Sequence, residues 1–450
     1  MNGNAPIGVI GLGRSGNAAV RFLQAQGLPV VAWDTQPAPA MALAHLPGVE
    51  TWAGQLPDHA FTICQCILLS PGVPRSLPAL APARAAGIPI LNDVEWLFRH
   101  VMTHTPEVPF IGITGSNGKS TVTTLIGAML RCHGMRVGVG GNLGTPALEL
   151  WDATQQAYVL ELSSFQLESI DRFRPRLAVL LNLTPDHLDR YPDVAAYLAA
   201  KRRIFANMGP GDCAVVNADD PLLRDDPATL AAAGVTVIPF SIEAAVPGGV
   251  YAADGWLTDH RQAAANPLIR LDDITIRGLH NQANAAAAAA IALAAGAAPA
   301  AVTATLRQFP GLPHRMEWVR TVDGVAYYND SKGTNVGATL MSLQSFGTGG
   351  IVLIAGGRDK KGDFATLAPV AARCVREAIL MGEAANDLAA ALSGGPRIHR
   401  VDNMTSAVRL AHQLARPPQT VLLSPACASF DMFKNFEDRG ERFREAVHDL

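Results

Sequence analysis

The chain has 450 residues, of which 49% are hydrophobic and 17% charged, and its formal net charge is −3. This apolar fraction excludes a disordered chain, and the slight negative charge argues against a general nucleic-acid or membrane-surface binder. The length predicts two to four domains. The first residues lack the basic and long apolar regions of a signal peptide, and none of the six cysteines has zinc-finger spacing. We therefore expect free thiols and a reducing, cytoplasmic compartment.

The first hundred residues alternate between strand and helix patterns, which is typical of a parallel α/β sheet. The apolar runs that predict strands are residues 7–10, 29–33, 61–70 and 88–91. Cys64 and Cys66 fall in the third run, which we expect to be a buried strand carrying structural thiols. The polar, proline-bearing stretch 103–109 predicts a linker.

A glycine-rich turn follows the first predicted strand. Gly11 to Gly16 spell GxGxxG before a predicted helix, and Asp34 ends the next strand. The glycines allow a tight turn, and the helix start offers free N–H groups to a phosphate. This pattern favours nucleotide or diphosphate binding, with NAD as the default nucleotide, although such glycines also serve plain strand-to-helix turns.

A second α/β unit begins with a predicted strand at residues 110–114 and the sequence GSNGKST at residues 115–121. This is a P-loop pattern, in which backbone amides surround phosphates, Lys119 neutralises their charge and Ser120 binds Mg²⁺. The loop is a shortened variant, because Ile113 stands where a full Walker A motif has its first glycine.

The rest of the second unit carries candidate metal ligands and an alanine-rich run. Glu161 ends a predicted strand, at the sheet edge where Mg²⁺ would bind. By residue type alone, His187 is a metal ligand or a capping residue, and Lys201 is an ordinary helix-surface lysine. Residues 235–277 predict a small antiparallel piece. The uncharged run 285–302 predicts a packed helix rather than a membrane span, since alanine is weakly apolar.

The break FPGLP at residues 309–313 predicts the start of a third α/β unit. Its predicted strands are residues 325–328, 351–355, 377–381 and 420–424. Asn281 and Asn284 precede the alanine run, where they would cap the helix or bind an adenine edge. Arg315 and Lys332 suit phosphate or carboxylate groups.

Taken together, these segments resemble the Mur ligase family over essentially the whole length. The motifs that carry the resemblance, in the order of the family, are TGSNGKST, ELSSFQLE, NLTPDHLDRY, GLHNQAN, LPHRME, NDSKGTN and SPACASFDMFKNFEDRG. The resemblance implies an α/β fold of three domains. These are a Rossmann-like domain for a UDP substrate at residues 1–103, a central P-loop ATPase domain with a mostly parallel sheet at 104–311, and a Rossmann-like glutamate-binding domain at 312–450 that closes on ATP.

The resemblance also implies an activity. The start GLGRSG, the pair Asp34–Thr35, the Ser70–Pro71–Gly72 loop and the last motif are similar to members that add D-glutamate to UDP-N-acetylmuramoyl-L-alanine. Such a member is an ATP-dependent amide ligase that works through an acyl phosphate in cytoplasmic peptidoglycan synthesis, and so serves cell wall biogenesis, cell shape and cell division. It implies ATP and two Mg²⁺ ions as cofactors, and a monomer with no nucleic-acid or membrane partner.

Site residues follow from the same resemblance, motif by motif. Those for the UDP substrate are Gly13, Arg14, Ser15, Gly16, Asp34, Thr35, Ser70, Gly72 and Asn142. Those for ATP are Gly115, Ser116, Asn117, Gly118, Lys119, Ser120, Thr121, Asn281, Asn284, Arg315 and Asp330. Those for the incoming glutamate are Lys332, Thr334, Lys360, Ser429 and Phe436. The implied metal ligands are Ser120, Glu161, His187 and Lys201, the last as a carbamylated lysine, and the catalytic set is Lys119, His187 and Lys201. The chain departs from many members at Gln36, where they have an arginine.

Three alternatives remain open at this point. Another Mur-family or folylpolyglutamate-type amide ligase would share the ATP chemistry but differ in the first and last domains. An NAD-dependent oxidoreductase rests on GxGxxG alone and leaves the GKST sequence unexplained. A non-catalytic P-loop module would bind nucleotide without forming an amide product.

Overall fold

Three β-sheets follow one another along the chain. The computed structural model describes residues 5–56, 61–142, 144–184, 190–346, 348–360 and 362–450. Helices lie between the strands of each sheet, which confirms the predicted α/β class. Within the described ranges, no helix combines the length and the apolar character needed to cross a membrane. The six cysteines are all free.

The first sheet has the order β3-β2-β1-β4-β5, and all its neighbouring strands are parallel. Its strands are β1 (Ile7–Ile10), β2 (Val30–Asp34), β3 (Val49–Ala53), β4 (Cys66–Leu69) and β5 (Ile90–Leu91). Its helices are α1 (Arg14–Ala25), α2 (Pro37–Met41), α3 (Ala81–Ala85) and α4 (Asp93–His104). Strand β1 lies between β2 and β4. From β1 the chain runs outward to β2 and β3, and it then crosses back to β4 on the other side of β1. Such a switch point opens a crevice at the carboxyl end of β1.

The predicted strand over residues 61–70 is wrong in its first half. Residues 61–65 form a turn, in which Cys64 N–H donates to the Phe61 carbonyl, and only Cys66–Leu69 pair with β1. Both thiols are nevertheless buried, as expected. Burial raises the pKa of Cys64 to about 11 and that of Cys66 to about 12, so neither is a reactive thiolate at neutral pH.

The second sheet has the order β14-β13-β12-β11-β10-β9-β6-β8-β7. Its strands are β6 (Phe110–Thr114), β7 (Val137–Gly141), β8 (Ala157–Glu161), β9 (Leu177–Leu180), β10 (Cys213–Asn217), β11 (Thr236–Ser241), β12 (Val250–Ala253), β13 (Trp256–Asp259) and β14 (Asn266–Arg270). Its helices are α5 (Lys119–Cys132), α6 (Ser164–Glu168), α7 (Val194–Arg202), α8 (Asp226–Ala232), α9 (Leu279–Ala294) and α10 (Pro299–Gln308). The pairs among β12, β13 and β14 are antiparallel and the others are parallel, so the expected antiparallel piece exists but β11 belongs to the parallel part.

The alanine-rich run forms two helices instead of one. Helix α9 ends before Gly296, whose φ of 94° is a left-handed value that glycine adopts without strain, and α10 then starts at Pro299. Residues 285–292 are fully buried against α5 and the strands β10 to β12. The small alanine side chains let α9 approach closely, which brings its first turn to the edge of the sheet.

The third sheet has the order β15-β16-β20-β17-β18-β19, and only the β15–β16 pair is antiparallel. Its strands are β15 (Glu317–Val322), β16 (Val325–Asn329), β17 (Ile351–Gly356), β18 (Val375–Met381), β19 (Arg397–Arg400) and β20 (Thr420–Leu423). Its helices are α11 (Val336–Gln344), α12 (Ala368–Cys374), α13 (Ala385–Ala391), α14 (Met404–Leu414) and α15 (Phe436–His448). The domain bounds at 103/104 and 311/312 stay predictions. The first of these bounds falls just before His104, the last residue of α4.

A buried carboxylate joins α4 to the unit of the second sheet. Glu95 is fully buried, and its oxygens accept the backbone N–H groups of Asp171, Arg172 and Phe173 at 2.9 to 3.1 Å. The Arg99 guanidinium donates to the same carboxylate at 2.7 Å. A carboxylate with this many donors stabilises the loop in one position.

We expect Glu95→Ala to lower the free energy of unfolding by about 2–3 kcal/mol, because three backbone amides and the Arg99 guanidinium lose their buried acceptor. The midpoint of chemical denaturation measures this loss. Glu107→Ala, at an exposed position in the linker, is the matched control and should change stability by less than about 0.5 kcal/mol. Equal denaturation midpoints for both variants would contradict the proposal that the Glu95 carboxylate stabilises this loop.

Candidate active site

The loop between β6 and α5 has the conformation of a phosphate-binding turn. Gly115 and Gly118 have φ of 152° and 84°, values that favour glycine, and Gly118 is the N-cap of α5. A Cβ at Gly118 would lie only 2.3 Å from Asn284 Oδ1, so the loop and α9 touch at this point. The start of α5 therefore faces the polar first turn of α9.

Side chains after β9 hold this loop. Asn182 Oδ1 accepts the Asn117 N–H at 2.8 Å, and Asn182 Nδ2 donates to the Asn117 carbonyl at 3.1 Å. The Ser116 hydroxyl accepts the Thr184 N–H at 2.9 Å and lies 3.1 Å from the Tyr197 hydroxyl. Sequence reasoning gave none of these three partners a role, although Asn182 and Thr184 stand inside the NLTPDHLDRY motif.

Two lysines converge on one carbonyl of the loop. The Nζ atoms of Lys119 and Lys201 each donate to the Gly115 carbonyl at 2.8 Å, and Lys119 also donates to the Ser116 carbonyl at 2.8 Å. Lys201 is 2% exposed, and its Nζ lies 4.7 Å from the centroid of the Tyr197 ring. The default interpretation of Lys201 as a surface lysine is therefore wrong.

Oxygen ligands suited to Mg²⁺ lie beside the loop. Glu161, 2% exposed at the end of β8, accepts from Asn142 Nδ2 at 2.8 Å through Oε1, while its buried Oε2 has no hydrogen-bond partner within the described ranges. The hydroxyl of Ser120, the second residue of α5, accepts a hydrogen bond from Arg315 Nη2 at 2.9 Å. A free carboxylate oxygen and a hydroxyl fit a hard cation. His187 lies outside the described residues, and among those described no three His, Cys, Asp or Glu side chains form a group that could hold a metal ion.

A cavity opens between the loop, α9 and the third unit. The predicted ATP residues that line it are Asn117, Gly118, Thr121, Asn281, Asn284, Arg315 and Asp330. Lys332 lines it as well. Asn217, Asp219, Phe240, Ile242 and His280 line it too. Sequence reasoning missed Phe240 and Ile242, because they lie in and just after strand β11, a segment that carries no motif.

Burial shifts the pKa of each charged group from the third unit in this cavity. Burial raises the pKa of Asp330 to about 6, although its carboxylate accepts the hydroxyls of Ser342 at 2.7 Å and Ser424 at 2.9 Å. Burial lowers the pKa of Lys332 to about 8, and the neighbouring Arg315 acts in the same direction. Burial also lowers the pKa of Arg315, against the effect of Glu161 and Asp330.

A second cavity lies at the carboxyl end of β1. The predicted residues that line it are Gly13, Arg14, Ser15, Ser70, Gly72 and Asn142, and Gln166 joins them. Gly16 packs below the loop, where a Cβ would lie 1.9 Å from the Gly11 carbonyl. The Asp34 carboxylate accepts the Leu12 N–H at 2.6 Å, so it fixes the glycine loop, and neither Asp34 nor Thr35 lines the cavity.

The predicted glutamate residues lie on loops at one end of the third sheet. Lys360 Nζ lies 3.5 Å from Thr334 Oγ1, Lys332 Nζ lies 3.6 Å from the centroid of the Phe436 ring, and Ser429 is buried. Arg439 connects these loops, although sequence reasoning gave it no role. It is fully buried and donates to the Ser331, Gly356, Cys427 and Ala428 carbonyls at 2.9 to 3.4 Å. The only sequence signal for Arg439 is its place in the last motif.

Comparison with known proteins decides the family. Family models match residues 5–92 (Mur ligase MurD-like, N-terminal domain), 113–292 (Mur ligase middle domain) and 314–427 (Mur ligase, glutamate ligase domain). A UDP-N-acetylmuramoylalanine--D-glutamate ligase from Geotalea uraniireducens (strain Rf4) is 42% identical over 454 residues, covering 99% of this chain and 98% of that protein. The chain belongs to the Mur ligase family.

Other relatives of this Mur ligase agree. The ligase of the same description from Pseudomonas syringae pv. syringae (strain B728a) is 43% identical, covering 98% of this chain and 97% of that protein. MurF from Acinetobacter baumannii has a TM-score of 0.66 at 18% identity, covering 94% and 91% of the two chains. MurC from Thermotoga maritima has a TM-score of 0.60 at 18% identity, covering 99% of each chain. The sequence relatives confirm the predicted resemblance to the members of the family that add D-glutamate, which are called MurD. The solved structures confirm the fold.

Proposed function

We propose that this Mur ligase joins D-glutamate to UDP-N-acetylmuramoyl-L-alanine with ATP in peptidoglycan synthesis, the ligase activity that names the relatives from Geotalea uraniireducens and Pseudomonas syringae. The observation that carries this proposal is the junction between the two cavities. Asn142 lines the cavity at β1 and donates to Glu161, which ends the strand beside the P-loop. A substrate bound along the cavity at β1 would thus present its carboxylate next to the ATP phosphates.

The chemistry requires an activated carboxylate. A carboxylate is a poor electrophile, so transfer of the terminal phosphoryl group of ATP first gives an acyl phosphate and ADP. The amine of glutamate then attacks the acyl carbon, and phosphate leaves as the amide forms. Lys119, Arg315 and Lys332 bring three cations to this region, which favours the meeting of anionic groups.

Mg²⁺ would be held by Glu161 and Ser120, and when bound it neutralises phosphate charge. For a second ion we propose His187 and carbamylated Lys201. The buried position of Lys201 beside the Gly115 carbonyl supports this assignment, because carbamylation would turn a cation at the phosphate loop into an oxygen ligand. The lysine ammonium first loses one proton to give the neutral amine, whose nitrogen then bonds to CO₂ and releases a second proton, so the carbamate carries one negative charge.

The glutamate acceptor would bind at the loops of the third sheet. Lys332 and Lys360 supply cations for its carboxylates, and Thr334 and Ser429 supply hydroxyls. The Phe436 ring holds the Lys332 ammonium in place. We further propose that the enzyme acts as a monomer in the cytoplasm, where its free thiols suit a reducing compartment.

The pKa of Lys332, about 8, predicts how glutamate binding depends on pH. The lysine is charged below this pKa and loses its charge as the pH rises through it, so we expect KM for D-glutamate to increase about tenfold per pH unit above about 8. Lys332→Arg should flatten this dependence, since arginine stays charged. Initial rates at neutral and alkaline pH measure both curves, and a flat curve in the wild type would contradict the role of Lys332.

Phosphate release tests the proposed function. With ATP, Mg²⁺, bicarbonate and UDP-N-acetylmuramoyl-L-alanine, we expect sustained release only when D-glutamate is present. Release that ignores glutamate would favour a P-loop module without ligase chemistry, and hydride transfer to NAD would favour the oxidoreductase alternative. Either result would overturn the proposal.

A further inference from the structure

A buried acid near the glycine loop has no part in the reaction described above. Asp93 is the first residue of α4 and is 4% exposed. Its Oδ1 accepts the Val94 N–H at 3.0 Å and lies 3.5 Å from Gln166 Nε2. Its Oδ2 is buried and has no hydrogen-bond partner among the residues that the structure describes. A buried carboxyl oxygen without a partner is costly, so its retention calls for an explanation.

The surroundings of Asp93 connect it to the cavity at β1. Asp93 and Ser15 line a small cavity directly beneath the glycine loop, together with Gly16, Ser70 and apolar side chains. The Ser70 hydroxyl already donates to the Gly11 carbonyl at 2.6 Å. The Ser15 hydroxyl is also close enough to the Asp93 carboxyl to act on its pKa, and Ser15 lines the larger cavity above as well.

The other oxygen of Asp93 reaches the same large cavity by a second route. Gln166 is fully buried, and its Oε1 accepts from both the backbone N–H and the hydroxyl of Ser163 at 3.1 Å. The orientation of this amide is thereby fixed, with Nε2 directed to Asp93. Asn92 Nδ2 donates to the Gln166 carbonyl at 2.5 Å. The Asp93 carboxyl group thus lies beside Ser15 of the first unit and Gln166 of the second unit, and both of these residues line the large cavity.

We propose that Asp93 is a positioning residue for the UDP substrate, which holds Ser15 and Gln166 in place as a neutral hydrogen-bonding group. This inference rests on the proposed function, because it assumes that the cavity takes a substrate diphosphate. Burial raises the pKa of Asp93, which favours the neutral acid. A neutral acid can donate from Oδ2 and adds no negative charge beneath a diphosphate, whereas a carboxylate would repel it.

Asparagine and leucine at position 93 separate hydrogen bonding from side-chain shape, since asparagine nearly matches the volume of aspartic acid and leucine keeps its branched shape, in a larger side chain, without any hydrogen-bonding group. Asn retains an acceptor toward Gln166 and places its NH₂ group toward Ser15. We expect Asp93→Asn to keep KM and Kd for UDP-N-acetylmuramoyl-L-alanine within about threefold of the wild type. Asp93→Leu should raise both about tenfold, while kcat and KM for ATP and D-glutamate stay within about threefold.

A buried acid far from the cavity provides the control for general destabilisation. Asp212 is fully buried and pairs with Arg174 at 2.7 Å, and it lines neither cavity. Asp212→Asn should lower the thermal midpoint without changing KM or Kd for the UDP substrate. If Asp93→Leu acts only through such destabilisation, every kinetic constant will change alike and the proposal fails.

The decisive measurements are steady-state kinetics and calorimetric titration with UDP-N-acetylmuramoyl-L-alanine in the absence of ATP. An unchanged Kd for Asp93→Leu overturns the proposal, and a Kd for Asp93→Asn as weak as that for the leucine variant overturns the neutral-acid role. If Asp93→Leu does not fold, Asp93→Ala takes its place, and unchanged affinity in that variant also overturns the proposal. A wild-type enzyme that forms no glutamyl product would instead mean that the proposed function itself fails.

Discussion

Replacing Lys119 with alanine is expected to lower kcat about 10³-fold, with little change in the affinity for the UDP substrate. Lys119 is the cation at the turn between β6 and α5, and its ammonium lies on the carbonyls of the loop that would surround the phosphates. Without it, the charge that develops during phosphoryl transfer loses its nearest fixed partner. The UDP substrate would bind in the cavity at β1, which Lys119 does not line.

Single-turnover phosphoryl transfer and calorimetric titration measure the two effects of Lys119→Ala separately. Arg224→Ala removes an exposed cation from the same unit and should leave both quantities at their wild-type values. Substantial turnover in Lys119→Ala would contradict the assignment of the P-loop. Complete loss of UDP-substrate binding would contradict the separation of the two cavities.

Replacing Lys201 with alanine is expected to lower turnover by a similar factor, about 10³-fold, but this loss should be partly reversible. If carbamylated Lys201 supplies an oxygen ligand, a small carboxylate such as acetate or formate can take its place in the space that the side chain leaves. We therefore expect added acetate to raise the activity of Lys201→Ala at least about tenfold, because one oxygen–metal contact is restored.

Lys119→Ala provides a matched control for this rescue. Both ammonium groups donate to the Gly115 carbonyl at 2.8 Å, so the two variants remove cations from the same place. A carboxylate has no reason to replace a phosphate-binding cation, and acetate should leave Lys119→Ala inactive. Rescue of both variants, or of neither, would argue against a carbamylated Lys201. Mass spectrometry of the intact wild type in bicarbonate gives an independent check.

The fold and the loops were predictable where a local pattern dictates local structure. The GKST turn, Glu161 at the end of β8 and the asparagines that open α9 all stand at strand or helix ends, where the chain direction alone places them at a sheet edge. The alanine run was harder. Its composition predicts one helix, but Gly296 and Pro299 stop one helix and start another.

What escaped prediction depends on contacts between distant parts of the chain. Asn182 holds Asn117 across 65 residues, and Arg439 reaches carbonyls on loops up to 108 residues away. Phe240 and Ile242, which belong to no motif, line part of the nucleotide cavity. Burial of Lys201 likewise follows from tertiary packing, because a lysine in a short helix is exposed by default.

The central claim is that this Mur ligase forms an amide between the two named substrates. The most direct measurement is the mass of the UDP-linked product after incubation with ATP, Mg²⁺, bicarbonate and either D- or L-glutamate. We predict that UDP-N-acetylmuramoyl-L-alanine gains one glutamyl residue with D-glutamate, with release of one phosphate per amide formed. A product unchanged in mass, or one formed from L-glutamate alone, would contradict the proposed function.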